Sequence, residues 1–138
     1  MFLKNRKNKM FDNIFDHKSM KIRRETLKFA LEVAKESYPN EFVALLAGKK
    51  GIIEEIVFLP FSSSEKLALI HMDMLPLGYR VYGTVHSHPS PSCKPSQADL
   101  IMFSKHGIVH IIVCYPFEEG CWRFYDKNGN EIELEIVD

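Results

Sequence analysis

The sequence predicts an α/β domain of α+β-like arrangement: a sheet flanked by an N-terminal helix and by a second helix that follows a proline-rich loop. Three observations carry that expectation. Apolar residues recur at helical spacing over residues 24–38, several short apolar runs are closed off by Gly or Pro, and Ser96-Gln97-Ala98-Asp99 has the pattern of a helix start. With 138 residues and 46% apolar content the chain can bury one real core, and no shift in composition argues for a second domain.

Residues 1–19 differ from the rest. Lys4, Arg6, Lys7 and Lys9 make the start basic and aperiodic, as expected of a disordered arm, although Met10, Phe11, Ile14 and Phe15 have the spacing of one sticky helical turn. The domain is expected over residues 20–138. Leu27, Ala30, Leu31, Ala34 and Tyr38 then line one helical face, and Pro39-Asn40 stops the helix because Pro disfavours helical geometry in the residue before it. Residues 42–47 read as a buried strand. Gly48-Lys49-Lys50-Gly51 reads as a hairpin turn into an antiparallel partner at 52–59, ended by Pro60. Residues 67–71 predict another strand, 72–78 a short helix or turn, and the Val81 run a further strand. The helix begun near Ser96 closes on Lys105-His106-Gly107, and 108–115 is a buried strand in which His110 is an edge or core histidine. Trp122, Phe124, the Asn128-Gly129 turn, and Ile132, Leu134 and Ile136 alternating with glutamates predict a C-terminal hairpin with one wet face.

The stretch from His86 to Asp99 carries the chemistry. On a strand, residues i and i+2 share a face, so His86 and His88 project together and their imidazoles can share one small cation. A catalytic zinc takes three protein ligands at about 2.0 to 2.2 Å and keeps a fourth position for water, and Asp99 is the natural third ligand. Pro89, Pro91 and Pro95 stiffen the path between them. The plainer reading is compatible: an H-x-H can arise by chance, and Ser96 with Asp99 resembles a helix-capping box. Glu41, at the mouth of an apolar strand, is either a solvated strand end or a functional group.

The spacing H-x-H, seven residues, Ser, two residues, Asp, with Glu41 upstream before an apolar strand, resembles the JAMM motif of the JAB/MPN zinc metalloprotease family, and every motif position is filled. The likeness runs from about Lys21 to the C-terminus and is nearest to small stand-alone archaeal-type members; Ala44 stands where many members carry glycine. The resemblance implies a single MPN domain with a curved mixed sheet and one Zn2+ per chain on His86, His88 and Asp99. It also implies Glu41 as general acid/base and Ser96 as a donor to the developing oxyanion. The implied reaction is hydrolysis of a peptide or isopeptide bond after the C-terminal tail of a ubiquitin-like modifier. That tail would add to a strand edge, for which residues 67–71 are the candidate. The chain has little room for linkage-selecting inserts. Two alternatives stay within the family's range: trimming of a cysteine or other small adduct from a sulfur-carrier protein, and a non-catalytic MPN interaction scaffold. Cupins and amidohydrolase barrels also use H-x-H, but the former need a further Glu and His at other spacings and the latter roughly 250 residues.

With 18 acidic and 18 basic residues the net charge is zero, which argues against nucleic acid or an anionic membrane as partner. No apolar run approaches the roughly 18 residues of a membrane span or forms a signal-peptide core, so a cytoplasmic protein is expected; the sequence leaves the oligomeric state open. Three cysteines show no C-x-x-C spacing. A Cys93–Cys114 bridge would pin the loop carrying Ser96 and Asp99 to the sheet. Against it stands the scarcity of cytosolic disulfides outside hyperthermophiles, a habitat to which the single glutamine weakly points, and Cys121 is expected to be a free thiol.

Overall fold

The computed structural model of the protein describes residues 17–58 and 75–138. A 3-10 turn (His17–Ser19) leads into β1 (Lys21–Arg23) and α1 (Arg24–Ser37). Strands β2 (Val43–Lys49), β3 (Ile52–Val57) and β4 (Arg80–His88) follow, then α2 (Gln97–Lys105) and strands β5 (Val109–Cys114), β6 (Trp122–Tyr125), β7 (Glu131–Ile132) and β8 (Glu135–Val137). Most of the basic arm, the strand expected at 67–71 and the first three residues of the turn expected at 72–78 lie outside the described residues. None of the described helices is long and apolar enough to cross a membrane.

Local sequence accounts for most of these elements. Helix α1 buries Leu27, Ala30, Leu31 and Ala34, the face set by the 3.6 period, together with Thr26, whose hydroxyl donates to the Glu54 carbonyl at 2.8 Å. Lys50 and Gly51, at φ 54° and 77°, make the left-handed turn that joins β2 to antiparallel β3. All of β5 is buried, as befits an apolar run in the middle of a sheet covered on both faces. Strands β4 and β5 approach so closely at Gly83 that a Cβ there would stand 1.5 Å from the Val109 carbonyl oxygen, and no side chain fits.

The strands form one mixed sheet in the order β7-β6-β5-β4-β2-β3-β1-β8. Strands β7 and β8 are at opposite edges, yet only Glu133 and Leu134 separate them. Three peptide steps from Ile132 to Glu135 reach at most about 11 Å, so the two edges must approach each other and the sheet curls towards a barrel. This corrects the expected C-terminal hairpin. Only Glu131 and Ile132 pair with β6, whereas Glu135–Val137 leaves to run parallel to β1, with buried Leu134 at the crossing. Alternating polarity reports which face is buried and says nothing of which strand lies alongside.

The two faces of the sheet carry different cores. One packs α1 against Ala44, Leu46, Ile53, Val85, Val109, Ile111 and Val113. The other packs Phe103 of α2 and Cys93 of the proline-rich loop against Ile112, Cys114 and Tyr125. Residues 84, 86 and 88 of β4 alternate with Val85 and so face this second, smaller core.

Candidate metal centre

Strand β4 ends on His86 and His88, and helix α2 begins directly above them. His86 is 2% exposed, and its Nδ1 lies 3.3 Å from Asp99 Oδ1; His88 Nε2 lies 2.9 Å from Asp99 Oδ2. Asp99 is the third residue of α2 and is held by a complete capping box: the Ser96 N–H donates to Asp99 Oδ2 at 2.8 Å, and the Asp99 N–H donates to Ser96 Oγ at 3.1 Å. The cap and the site are therefore one structure, which joins the two readings of Ser96 and Asp99. Burial opposes a charge on Asp99, but the His86 imidazole, the Ser96 N–H and His88 outweigh it and hold the carboxyl well below the usual carboxylate range.

The loop between the histidines and Asp99 is tied down near its middle. His88 Nδ1 donates to the Ser92 carbonyl at 3.0 Å, the Tyr125 hydroxyl donates to the Cys93 carbonyl at 2.6 Å, and Cys93 is bonded to Cys114 with a Cα–Cα distance of 5.3 Å. The bridge weighed from sequence is thus formed, and Cys121 is a free thiol beside it.

A carbonyl only accepts, so in neutral His88 the proton sits on Nδ1 and Nε2 presents its lone pair to the Asp99 carboxylate, which also only accepts. Two acceptors 2.9 Å apart need a cation between them, either a proton or a metal ion. Imidazole and carboxylate are ligands that suit zinc, and in a tetrahedral zinc site two ligand atoms stand about 3.4 Å apart. The 3.3 Å between His86 Nδ1 and Asp99 Oδ1 is of that size, and the His88 contact is tighter. Among the described residues no group of three or more such side chains stands spread about one point as a ready cage; these three meet in contacting pairs. In chemical type and convergence, the donor set fits a divalent metal.

Glu41 stands just before β2, at the same end of the sheet. Val43 pairs with His86, and the exchange between Phe42 and Ser87 continues that register, so counting on sets Glu41 opposite His88. Ala44 and Leu46 face the α1 core, which turns residues 41 and 43 to the face that bears the histidines. Glu41 is exposed there. Ser96 Oγ accepts from Asp99 and keeps its own hydrogen to donate outwards.

His110 is a core histidine, 0% exposed, and sequence reasoning gave it no partner. Its Nδ1 lies 2.7 Å from Thr84 Oγ1, which lies 2.8 Å from His86 Nε2, and its Nε2 lies 3.1 Å from the Gly107 carbonyl. Burial pushes the imidazole down to about 4, so it is neutral at pH 7. The usable signal was Thr84, two residues before His86 and hence on its face. A shallow depression of about 520 Å³ near Arg23, Arg24, Glu54 and Glu55 lies towards the other end of β3, where Glu54 is already paired with Arg23 and Tyr79.

Comparison with known proteins agrees with this geometry. Residues 10–125 match the model of the prokaryotic homologs of the JAB domain. A protein of Haloferax volcanii described as a probable metalloprotease is 31% identical over 125 residues, which are 83% of this chain and 77% of that protein. The crystal structure of a JAB1/MPN domain protein from Archaeoglobus fulgidus is 50% identical, with a TM-score of 0.74 over 86% of this chain and 100% of that one. A second structure, described as JAMM, a metalloprotease-like zinc site in the proteasome and signalosome, is 47% identical with a TM-score of 0.71 over 86% of this chain and 98% of that one. On its family match, its curated relative and its curled mixed sheet, the chain belongs to the JAB/MPN family of JAMM-type metalloproteases.

Proposed function

We propose that the protein is a zinc-dependent isopeptidase or peptidase that cleaves the amide bond after the C-terminal tail of a ubiquitin-like modifier, with one zinc ion held by His86, His88 and Asp99. The observation that carries this reading is the meeting of the His88 Nε2 lone pair with the Asp99 carboxylate at 2.9 Å, beside His86, an arrangement of acceptors that calls for a cation. When bound, zinc supplies Lewis acidity, polarising a carbonyl and lowering the pKa of a water to about 7. Glu41, across from His88, takes the proton of the attacking water and hands it to the departing amine. Ser96 donates its free hydroxyl hydrogen to the oxyanion as the carbonyl becomes tetrahedral. Val43, 47% exposed and paired with His86, gives an apolar step next to the site, which suits an extended chain better than a small enclosed ligand. The modifier as substrate class rests on family membership.

The test offers the zinc-loaded protein two substrates, a modifier with an isopeptide-linked lysine and a modifier ending in an added cysteine. Cleavage of the first is expected. Glu41→Gln should keep its zinc and lose turnover, whereas His86→Ala, His88→Ala and Asp99→Ala should lose both. Full zinc occupancy in all three alanine variants would sink the ligand assignment, and an active Glu41→Gln would remove Glu41 as the base.

A further inference from the structure

Beneath His86 the core holds a chain of polar groups that the reaction does not use. Thr84 and His110 are both 0% exposed and sit opposite each other in the parallel pairing of β4 with β5. The direction of each hydrogen bond can be read from its fixed end. The Gly107 carbonyl only accepts, so His110 Nε2 carries the proton of the neutral ring and His110 Nδ1 is an acceptor. The Thr84 hydroxyl donates its one hydrogen to that nitrogen and must then accept from His86 Nε2. His86 therefore carries its proton on Nε2 and turns the lone pair of Nδ1 towards Asp99 Oδ1, 3.3 Å away.

We propose that Thr84 and His110 are positioning residues, a buried relay that locks His86 in the Nε2–H tautomer and so keeps Nδ1 as its metal-binding atom; this rests on the zinc-site reading above. The far end of the relay is rigid. Gly107 has φ +114°, and a Cβ on it would stand 2.3 Å from the Tyr82 carbonyl oxygen, so the carbonyl that orients His110 is fixed by a position only glycine can hold. Phe103 stacks on His110 with centroids 4.4 Å apart and planes at 13°, and meets His86 edge-on at 5.5 Å, which keeps the relay dry. A histidine that holds a metal with one ring nitrogen is oriented by the partner of the other, and here that partner is a threonine whose own direction is set one residue further away.

The experiment reads tautomers and affinity rather than turnover. Long-range 1H–15N spectra of zinc-loaded, 15N-His-labelled protein should place the His86 proton on Nε2 and the metal on Nδ1. Zinc affinity, by competition with a chelator, should fall about 10- to 100-fold in Thr84→Val and return in Thr84→Ser. His110→Phe, which removes the acceptor of the Thr84 hydroxyl, should lower affinity in the same direction and move the His86 proton towards Nδ1. A wild-type spectrum with the proton on Nδ1 of His86 overturns the relay, and so does a Thr84→Val protein with unchanged tautomer and unchanged affinity. The wild-type spectrum decides even where a variant does not fold. If wild type binds zinc no better than His88→Ala, the zinc-site reading itself has failed; zinc bound with the wrong tautomer overturns the relay alone.

Discussion

Removing the Cys93–Cys114 bridge should cost stability far more than it costs metal binding. The bond joins residues 21 apart in sequence and closes a loop that contains Ser96, Asp99 and all of α2. Loop-closure entropy for about 22 residues corresponds to roughly 3 kcal/mol at 25 °C, removed from the unfolded state by the bridge. A chain of 138 residues unfolds with an entropy near 0.3 kcal/mol/K, so the loss should lower the melting temperature by about 10 °C. The assay compares oxidised wild type, wild type in reductant, and Cys93→Ala/Cys114→Ala; the double variant is needed because Cys121 packs against the same cluster and would offer a new partner to either single variant. Zinc affinity should change less than about 10-fold, because the loop keeps the Tyr125 bond to the Cys93 carbonyl, the His88 bond to the Ser92 carbonyl and the capping box. A double variant that melts within about 3 °C of oxidised wild type would refute the loop-entropy reasoning.

Ser96→Ala should lose about 1 kcal/mol of stability with the cap and about 10² to 10³ in kcat with the oxyanion donor. Ser96→Asp should melt closer to wild type yet turn over no faster than the alanine variant; near-wild-type turnover with zinc retained would reduce Ser96 to a cap. The buried His110 gives a pH signature: its folded value of about 4 lies below the ordinary 6.5, so between pH 6.5 and 4 the unfolded chain binds a proton that the folded chain refuses. Wild-type stability relative to His110→Phe should therefore fall by about 3 kcal/mol from pH 7 to pH 4 in metal-free protein, and a flat difference in urea melts would rule that out.

What was legible in the sequence was what local spacing controls. The two-residue period brought His86 and His88 to one face, and the serine three residues before Asp99 declared both a helix start and the capping box. The place of Glu41 was not written locally, since it depends on the register of β2 against β4, two strands separated by residues 50–79 of the chain. A family pattern supplied that assignment, and the register sets Val43, two residues on, beside His86. The partner of His110 was hidden for the same reason, because Thr84 lies across a parallel strand 26 residues away. The C-terminal run misled because its alternation continues through Glu133 and Leu134 while the chain passes from one edge of the curled sheet to the other.

The position of the site follows from a change of strand direction at β4. On one side β4 pairs antiparallel with β2, so the start of β2, just after Glu41, lies beside the end of β4. On the other side it pairs parallel with β5, and a parallel neighbour cannot be reached by a tight turn. The chain must cross over, and the crossover here is the proline-rich loop and α2. A crossover helix starts at the end where the first strand finishes, so its first turn, with Ser96 and Asp99, stands over the histidines. The same parallel pairing sets His110 directly opposite Thr84, beneath the histidine that the relay orients. Separate segments and the buried relay thus come to the end of β4 because β4 has an antiparallel partner on one side and, on the other, a parallel partner reached by a helical crossover that starts at that end. A substitution that weakened the β4–β5 contact, such as a side chain at Gly83, would act on all of them together.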